Sequence, residues 1–366
     1  MRIAIIGGGR WAKTHISVLS SLMDGADHMD WFTERNFEEN TQWLQSINYN
    51  PTIKIQNYSV LLNASYDGYI VTTDSQTHAH YLRKLIPTGK AILCEKPLCY
   101  SFQEGQELAK LADNNQCPVA MNIEFIHASY LDDFKKAIAT RPIKKIEIDW
   151  QDPLTEDRNG ITKYSDIVTP ISFDQGTHCW SILSYLLDNQ TFSILTASYQ
   201  EDGSIMVEAQ YNHIDIHLTL GRFAHHRTRR VSINNNEVVL DFSTEPGRII
   251  TPERSYCNKW RDHRPMTLAL SSFLQIVKNK KTQLPELIHN ILPCLKFCED
   301  VQDLLNVNLK NHLLSPNLGS ENYRKIIIYY YAPLLMTKGF RSDVFSDTGY
   351  ADFLDQIQKY KTIHNS

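Results

Sequence analysis

The chain has 366 residues, with 37 Lys and Arg against 41 Asp and Glu, which gives a formal net charge of -4. This length exceeds one ordinary hydrophobic core and predicts about two domains. The slight acidic balance excludes a general basic field for nucleic acid and a polybasic surface for anionic lipid. We therefore expect a small-molecule substrate and no nucleic-acid or membrane partner.

Three features of the sequence indicate the cellular compartment and whether a metal site is present. These are the cysteines, the histidines and the N-terminal residues. The seven cysteines form no Cys-x-x-Cys pair, and the histidine pairs lack the carboxylate partners of a metal site. The chain opens on a strand pattern instead of a secretory signal, and no apolar run is long enough to span a bilayer. We expect a cytoplasmic protein with reduced thiols and no metal.

A glycine-rich turn follows the first predicted strand, which is the apolar run 3–6. Gly7, Gly9 and Ala12 fit the pattern G-x-G-x-x-A, and a helical pattern continues from them. The glycines allow a tight turn and let backbone N–H groups approach a pyrophosphate at the positive end of a helix. We predict a dinucleotide site here, with Arg10 and Trp11 in the first helical turn beside it.

The second predicted strand, residues 29–33, ends in Glu34 and Arg35. An acid at this distance from the glycines is typical of a hydrogen bond to a ribose diol, which favours NAD. Arg35 offers a stack on adenine or a pair with a 2′-phosphate, so NAD and NADP both stay open. The alternative is that both residues are solvated loop charges.

Strands and helices continue to alternate as far as residue 122, a pattern typical of a doubly wound parallel sheet. The strand-like run 91–94 ends in Glu95, Lys96 and Pro97. Ligands bind at the carboxyl ends of strands in such sheets, so Lys96 is a candidate functional lysine. The alternative is that Glu95 and Lys96 only solvate a turn.

Long alternating strands begin near residue 143 and favour an antiparallel sheet. The segment 152–160 has the composition of a polar loop. Arg158 within it and Lys163 after it are candidate contacts for an anionic or nucleotide-linked ligand; the alternative is that both are solvated charges.

Asp174 and His178 are four residues apart and share one face of a predicted helix. A carboxylate can orient an imidazole that exchanges protons near neutral pH; an incidental histidine is the alternative.

Three ordered motifs carry a resemblance to a known family: the Gly7 turn, the turn 72–78, and the run 89–98 with Glu-Lys-Pro. Together they resemble the Gfo/Idh/MocA family of NAD(P)-dependent oxidoreductases. The resemblance implies an α/β Rossmann domain, then an α+β domain with an open, mainly antiparallel sheet of the glyceraldehyde-3-phosphate dehydrogenase-like type. It also implies that this sheet pairs subunits, so a homo-oligomer is expected.

The resemblance further implies roles for single residues. Lys96 would contact the reacting oxygen beside the nicotinamide, and Thr73, His78 and Glu95 would lie close to the cofactor. Asp174 and His178 would join Lys96 as catalytic residues. A further acid that many sugar dehydrogenases of the family carry is replaced by Cys179 or Ser181, which argues against a simple free sugar. Tyr130 is a candidate substrate contact, with a buried aromatic residue as the alternative.

These patterns predict three segments: a dinucleotide-binding domain over 1–122, a substrate-binding domain over 123–307, and a C-terminal extension over 308–366 that is apolar enough to fold. The predicted function is hydride transfer between NAD or NADP and a hydroxyl or carbonyl carbon of a sugar-like or nucleotide-sugar substrate. Two alternatives stay open, a biosynthetic imine reductase of the thiazoline type and a non-catalytic dinucleotide-binding sensor.

Overall fold

The computed structural model describes residues 1–34, 36–47, 49, 51–158, 161–200, 202–261, 263–278, 284–313, 320–335 and 346–364. The strands are β1 (Arg2–Ile6), β2 (His28–Phe32), β3 (Thr52–Gln56), β4 (Gly68–Val71), β5 (Ala91–Cys94), β6 (Val119–Met121), β7 (Lys145–Pro153), β8 (Thr155–Arg158), β9 (Ile161–Tyr164), β10 (Ser193–Tyr199), β11 (Ile205–Tyr211), β12 (Ile214–Ala224), β13 (Thr228–Ile233), β14 (Val238–Asp241), β15 (Arg248–Ile250) and β16 (Ser255–Cys257). The helices are α1 (Arg10–Leu22), α2 (Phe37–Gln45), α3 (His78–Leu85), α4 (Phe102–Asn114), α5 (Ser129–Ile138), α6 (Ile171–Leu187), α7 (Pro265–Val277), α8 (Ile288–Leu313), α9 (Ser320–Leu335) and α10 (Asp347–His364).

The chain forms two compact units. Unit 1 comprises Met1–Leu131, Trp180–Gln190 and Trp260–Lys296, and unit 2 comprises Asp132–Cys179, Thr191–Lys259 and Phe297–Ser366. No helix of the described part is long and apolar enough to cross a membrane.

Unit 1 contains a parallel sheet whose six described strands follow the order β3-β2-β1-β4-β5-β6. The predicted doubly wound sheet is therefore confirmed. The strand order reverses between β1 and β4, and in such sheets the crevice outside the carboxyl ends at this reversal is where ligands bind.

The core of unit 1 joins this sheet to helix α7. Ile3, Ile5 and Ile70 from β1 and β4 share one hydrophobic cluster with Leu270 and Phe273, and each of these side chains is almost completely buried. Burial of one such side chain contributes about 1.5–3 kcal/mol, so this cluster holds the carboxyl ends of β1 and β4 in fixed positions.

Unit 2 contains a sheet whose eight described strands follow the order β10-β11-β12-β7-β13-β14-β15-β16. The predicted mainly antiparallel sheet is confirmed, with one local difference: β7 and β12 at its centre pair in parallel. Parallel neighbours need a long crossover connection, which the chain between these strands supplies. That this sheet pairs subunits stays a prediction.

The segment 152–160 differs from the predicted polar loop. β7 continues to Pro153, and β8 and β9 then form an antiparallel hairpin in which Thr155 pairs with Tyr164. Strand-forming residues lie on both sides of an Asn-Gly pair at positions 159 and 160 in the sequence. Asn-Gly between such runs is a strong hairpin signal, so the prediction of a loop was wrong here.

Candidate active site

The predicted glycine turn lies at the carboxyl end of β1 in unit 1. Gly7 has φ +136°, and a Cβ built there would lie 2.5 Å from Oγ1 and 2.6 Å from the carbonyl oxygen of Thr72. The Gly7 N–H donates to the Phe32 carbonyl (2.9 Å), and the Trp31 indole donates to the Gly7 carbonyl (2.6 Å). Only glycine fits this position, because both its backbone conformation and the space around it exclude a side chain.

The N-terminus of α1 beside this turn is open. Gly9 is its N-cap residue, and a Cβ built there meets no atom of the described residues within 4 Å. The first turn holds no acidic residue, and Gly9 brings no capping side chain. Ala12 is completely buried, whereas Arg10 is exposed and its guanidinium lies 5.3 Å from the Trp11 ring centre. The first N–H groups of a helix have no carbonyl partner within the helix and suit a pyrophosphate, so these residues fit a dinucleotide.

Replacing each of the two glycines by Ala should have different effects, one on stability and the other on dinucleotide binding. Gly7→Ala should lower the free energy of unfolding by roughly 1–3 kcal/mol, because the strained φ and the Thr72 contacts oppose a Cβ. Gly9→Ala should leave stability unchanged but weaken binding of NADH or NADPH about tenfold, because its methyl group enters the space for the pyrophosphate. Urea unfolding and a fluorescence titration measure the two effects; equal effects of both variants on stability would contradict this assignment.

Glu34 follows β2 and is exposed, as a residue that contacts a ribose should be. It lies near a pair of tyrosines, Tyr58 and Tyr81, whose ring centres are 5.5 Å apart. Burial raises the pKa of both phenols, and the negative charge of Glu34 adds to the rise. Arg35 lies outside the described residues, so the choice between NAD and NADP rests on Glu34 alone here.

The turn after β4 is tied to the turn after β5 through His78, which is buried. Its Nδ1 lies 2.7 Å from the Pro97 carbonyl oxygen, and its Nε2 lies 3.1 Å from that of Thr73. Both ring nitrogens are thus within hydrogen-bonding distance of carbonyl groups. His78 therefore fixes the backbone next to Lys96, a positioning role at the edge of the predicted cofactor site.

Glu95 carries a buried carboxylate at the carboxyl end of β5. Its Oε1 accepts hydrogen bonds from His15 Nε2 (2.6 Å) and Asn122 Nδ2 (2.8 Å), and its Oε2 lies 3.3 Å from the Lys96 backbone nitrogen. Burial alone would raise the pKa of Glu95, but the hydrogen bond and charge of His15, helped by Asn122 and Lys96, hold that pKa below its ordinary value. The carboxylate is therefore charged, directly before Lys96 in the chain.

His15 supports this charge from α1. It is completely buried, and its Nδ1 has no hydrogen-bond partner within the described part of the chain. The imidazole carries a proton on Nε2 and donates it to Glu95. The hydrogen bonds of Glu95 to His15 and Asn122 thus connect α1 with the ends of β5 and β6. Lys96, which follows Glu95 in the chain, is half-buried.

The lowered pKa of Glu95 predicts a pH-dependent stability. The folded chain binds fewer protons at this site than the unfolded chain, so the contribution is present above the ordinary pKa of 4.5 and is lost as pH falls through the lower folded value. Glu95→Gln should therefore cost about 2 kcal/mol near neutral pH and much less well below pH 4.5. Urea unfolding at two pH values measures this; the exposed Glu107→Gln is the control, and a pH-independent cost for Glu95→Gln would contradict it.

Asp174 lies in the first turn of α6 in unit 2, as part of an ion pair with Arg222. Arg222 Nη2 donates to Asp174 Oδ2 (3.0 Å) and to the Thr169 carbonyl (2.7 Å), and the arginine is 1% exposed. The Gln175 side chain pairs with both backbone groups of Gly221, the residue before Arg222. A buried guanidinium needs a charged partner, so this pair fixes the Asp174 carboxylate in one position.

His178 lies one turn further along α6, half-buried, and stacks on Trp150 of β7. The ring centres are 4.9 Å apart and the ring planes differ by 13°. Trp150 is itself held by Arg229, whose guanidinium lies 4.3 Å from the ring centre and 3.2 Å from Asp152 Oδ1. The stack on Trp150 therefore fixes the orientation of the imidazole ring, and the position of His178 in α6 fixes where its backbone lies.

The weaker substrate candidates have mixed placements. Tyr130 is completely buried in α5 and meets Trp260 edge to face, with ring centres 6.1 Å apart. In the β8–β9 hairpin Arg158 pairs with Ile161 and Lys163 pairs with Glu156, but the side chains of Arg158 and Lys163 lie outside the described part of the chain. Among the described residues, no three His, Cys, Asp or Glu side chains gather where they could hold a metal ion.

The structure thus places the predicted cofactor residues of unit 1 that it describes at the carboxyl ends of β1, β2, β4 and β5. It also reveals residues that the sequence patterns did not single out, which are His15, Asn122, Trp150 and Arg222. His15 lies on the buried stripe of α1 with Ala12, Ile16 and Leu19, and Asn122 follows an apolar strand as Glu95 does. A polar residue on a buried face is a signal that could have found both.

Comparison with known proteins bears on the fold and on the cofactor class. Residues 1–123 match the model of an oxidoreductase family with an NAD-binding Rossmann fold. Glucose-6-phosphate 3-dehydrogenase from Bacillus subtilis is 24% identical over 147 residues, which is 40% of either chain. The chain therefore matches less than half the length of that curated relative.

Solved structures share the fold over most of this chain. A 3-ketoreductase from Actinomadura kijaniata, in complex with NADP and TDP-benzene, has a TM-score of 0.67 at 14% identity and covers 83% of this chain and 98% of its own. UDP-N-acetylglucosamine 3-dehydrogenase from Acidithiobacillus ferrooxidans has a TM-score of 0.66 at 15% identity, covering 84% and 99%. This chain thus carries residues beyond the shared fold, and its residues 1–123 match the model of the Gfo/Idh/MocA oxidoreductase family.

Proposed function

We propose that the protein is an NAD(P)-dependent oxidoreductase that interconverts a hydroxyl and a carbonyl group on a sugar or nucleotide-linked sugar. The observation that carries this proposal is the arrangement in unit 1. The open N-terminus of α1 and the Glu95-Lys96-Pro97 turn lie at the carboxyl ends of β1 and β5, which flank β4 in one parallel sheet. The family match of residues 1–123 supports the same cofactor class.

Different residues would bind the two ends of the cofactor. Backbone N–H groups from Gly9 onward would hold the pyrophosphate, and Glu34 would accept hydrogen bonds from the adenosine ribose. The nicotinamide, when bound, supplies or accepts the hydride. Thr73 and His78 lie on the turn next to Pro97 and would line the nicotinamide end of the site.

The protein must stabilise charge on the reacting oxygen and move one proton. Lys96 supplies an ammonium group that donates a hydrogen bond to that oxygen and stabilises negative charge as it develops. His178 exchanges the hydroxyl proton, since imidazole titrates near neutral pH. Asp174, held by Arg222, keeps its carboxylate on the same face of α6 as His178.

The relatives suggest which position of the substrate reacts. The Bacillus and Acidithiobacillus enzymes are both named as 3-dehydrogenases, and the Actinomadura enzyme is named as a 3-ketoreductase. We propose the same position on the sugar ring for this chain. Phosphorylated and nucleotide-linked sugars are preferred to free ones, because the acid that many sugar dehydrogenases carry near the histidine is Cys179 or Ser181 here.

A substrate panel tests this proposal. Glucose 6-phosphate, UDP-N-acetylglucosamine, free glucose and free inositol are each mixed with the enzyme and with NAD or NADP, and nicotinamide absorbance is followed. We expect reduction of the cofactor with a phosphorylated or nucleotide-linked sugar. Efficient oxidation of only the free polyols would contradict the substrate class. Turnover of a thiazoline-type imine, mixed with the enzyme and NADH or NADPH in a parallel assay, would contradict the reaction.

A further inference from the structure

The C-terminal helices α9 and α10 form a hydrophobic cluster with a short segment of unit 2. Ile167 and Val168 are each 1% exposed, and they pack with Ile328 of α9 and with Phe353 and Ile357 of α10. Ile327, Tyr331 and Ala332 complete the cluster. Arg324 ties the two helices together, since its guanidinium lies 4.4 Å from the Tyr350 ring centre. The two helices are therefore built against residues 167 and 168.

The segment that they cover leads directly into the start of α6. Asp166 accepts hydrogen bonds from the backbone N–H groups of Val168 (2.9 Å) and Thr169 (3.2 Å), which makes this segment a fixed turn. The Thr169 carbonyl then accepts from Arg222, the same nitrogen that contacts Asp174, and the Asp174 N–H donates to the Pro170 carbonyl. The cluster and the Asp174 ion pair are thus separated by one rigid turn.

Helix α9 makes a second contact next to Arg222 in the chain. The Lys325 ammonium lies 5.8 Å from the ring centre of Phe223, the residue that follows Arg222 in β12. The stem of Lys325 also packs against Gly203, where an added Cβ would lie 3.3 Å from the Lys325 Cβ. Helix α9 therefore contacts both the segment that leads into α6 and the residue that follows Arg222.

We propose that α9 and α10 act as a brace that positions the Asp174–Arg222 pair, and with it the first turns of α6, for the reaction. This proposal rests on the proposed function of Asp174 and His178. Ile328 and Phe353 are its positioning residues. Their effect on turnover would pass through the turn 166–170 and would not involve the cofactor-binding residues of unit 1.

The test uses two cavity-forming variants of the full chain, Ile328→Ala and Phe353→Ala. We expect kcat on the panel substrate with the highest rate to fall about tenfold, because small displacements of a catalytic group are costly. The dissociation constant for NADH should stay within about twofold, since unit 1 is untouched. Amide hydrogen exchange should increase at residues 165–178. The control is Leu354→Ala, because Leu354 lies next to Phe353 and is 42% exposed.

Ile328→Val and Phe353→Leu provide the matched rescue, because they remove little volume. They should restore most of kcat and of the protection at residues 165–178, and they carry the test if the Ala variants do not fold. An unchanged kcat in variants with a lowered Tm would overturn the brace, because the helices would then only add stability. A wild-type enzyme without turnover would overturn the proposed function instead, and unchanged exchange at 165–178 would overturn the brace independently.

Discussion

Replacing Lys96 by Met is expected to lower kcat about 1,000-fold, because a preorganised donor to a developing oxyanion is lost. Met is unbranched and only one atom shorter than Lys, so the replacement mainly removes the charge and the donors. Glu95, which holds the backbone on one side of Lys96, and His78, which holds Pro97 on the other, are unchanged. The turn should therefore keep its shape, and binding of NADH or NADPH should change by no more than about threefold.

Steady-state kinetics and a fluorescence titration on the same Lys96→Met preparation measure the two quantities. Lys90→Met is the matched control, since Lys90 is an exposed lysine just before the same strand and should not affect kcat. Full turnover by Lys96→Met would remove Lys96 from the mechanism. A loss of dinucleotide binding without any loss of stability would instead make it a cofactor-binding residue.

Replacing His178 by Asn is expected to lower kcat about 100-fold and to remove a limb of the pH profile. Loss of a general acid or base costs about this factor, and the imidazole is the group that titrates near neutral pH. Asn keeps a polar side chain of similar size at the Trp150 face. The remaining activity should therefore depend less on pH between about 5 and 8 than that of the wild type.

The pH dependence of kcat/KM, measured for His178→Asn and for the wild type, tests this expectation. His213→Asn serves as the control, because His213 is an exposed histidine of the same unit. An unchanged pH profile in His178→Asn would mean that another group carries the proton. In that case the stack on Trp150 would have only a structural role.

Much of unit 1 could be predicted from its sequence, because its signals are local. Short apolar runs are bounded by turn residues, and helices connect them, which leaves few possible strand orders in a parallel sheet. The glycine turn and the Glu-Lys-Pro turn lie next to strands whose ends the pattern marks clearly. Their proximity in space then follows from the topology.

Less of unit 2 could be predicted from its sequence, because the contacts that determine its structure join residues far apart in the chain. The parallel pairing of β7 and β12 joins strands that lie far apart in sequence, which no local pattern specifies. Arg222 was overlooked for a similar reason, because an arginine at the end of a strand usually reads as exposed. Yet it continues the buried alternation of Leu218 and Leu220, and a buried arginine requires an acid such as Asp174.

Titration of the protein with NADH and NADPH, followed by nicotinamide fluorescence, tests the central claim most directly. The open α1 N-terminus and the exposed Glu34 predict saturable binding of at least one of the two, with NADH favoured because Glu34 disfavours a 2′-phosphate. Gly9→Ala should weaken that binding at unchanged stability. Absence of saturable binding by either dinucleotide in the folded wild-type protein would contradict the account.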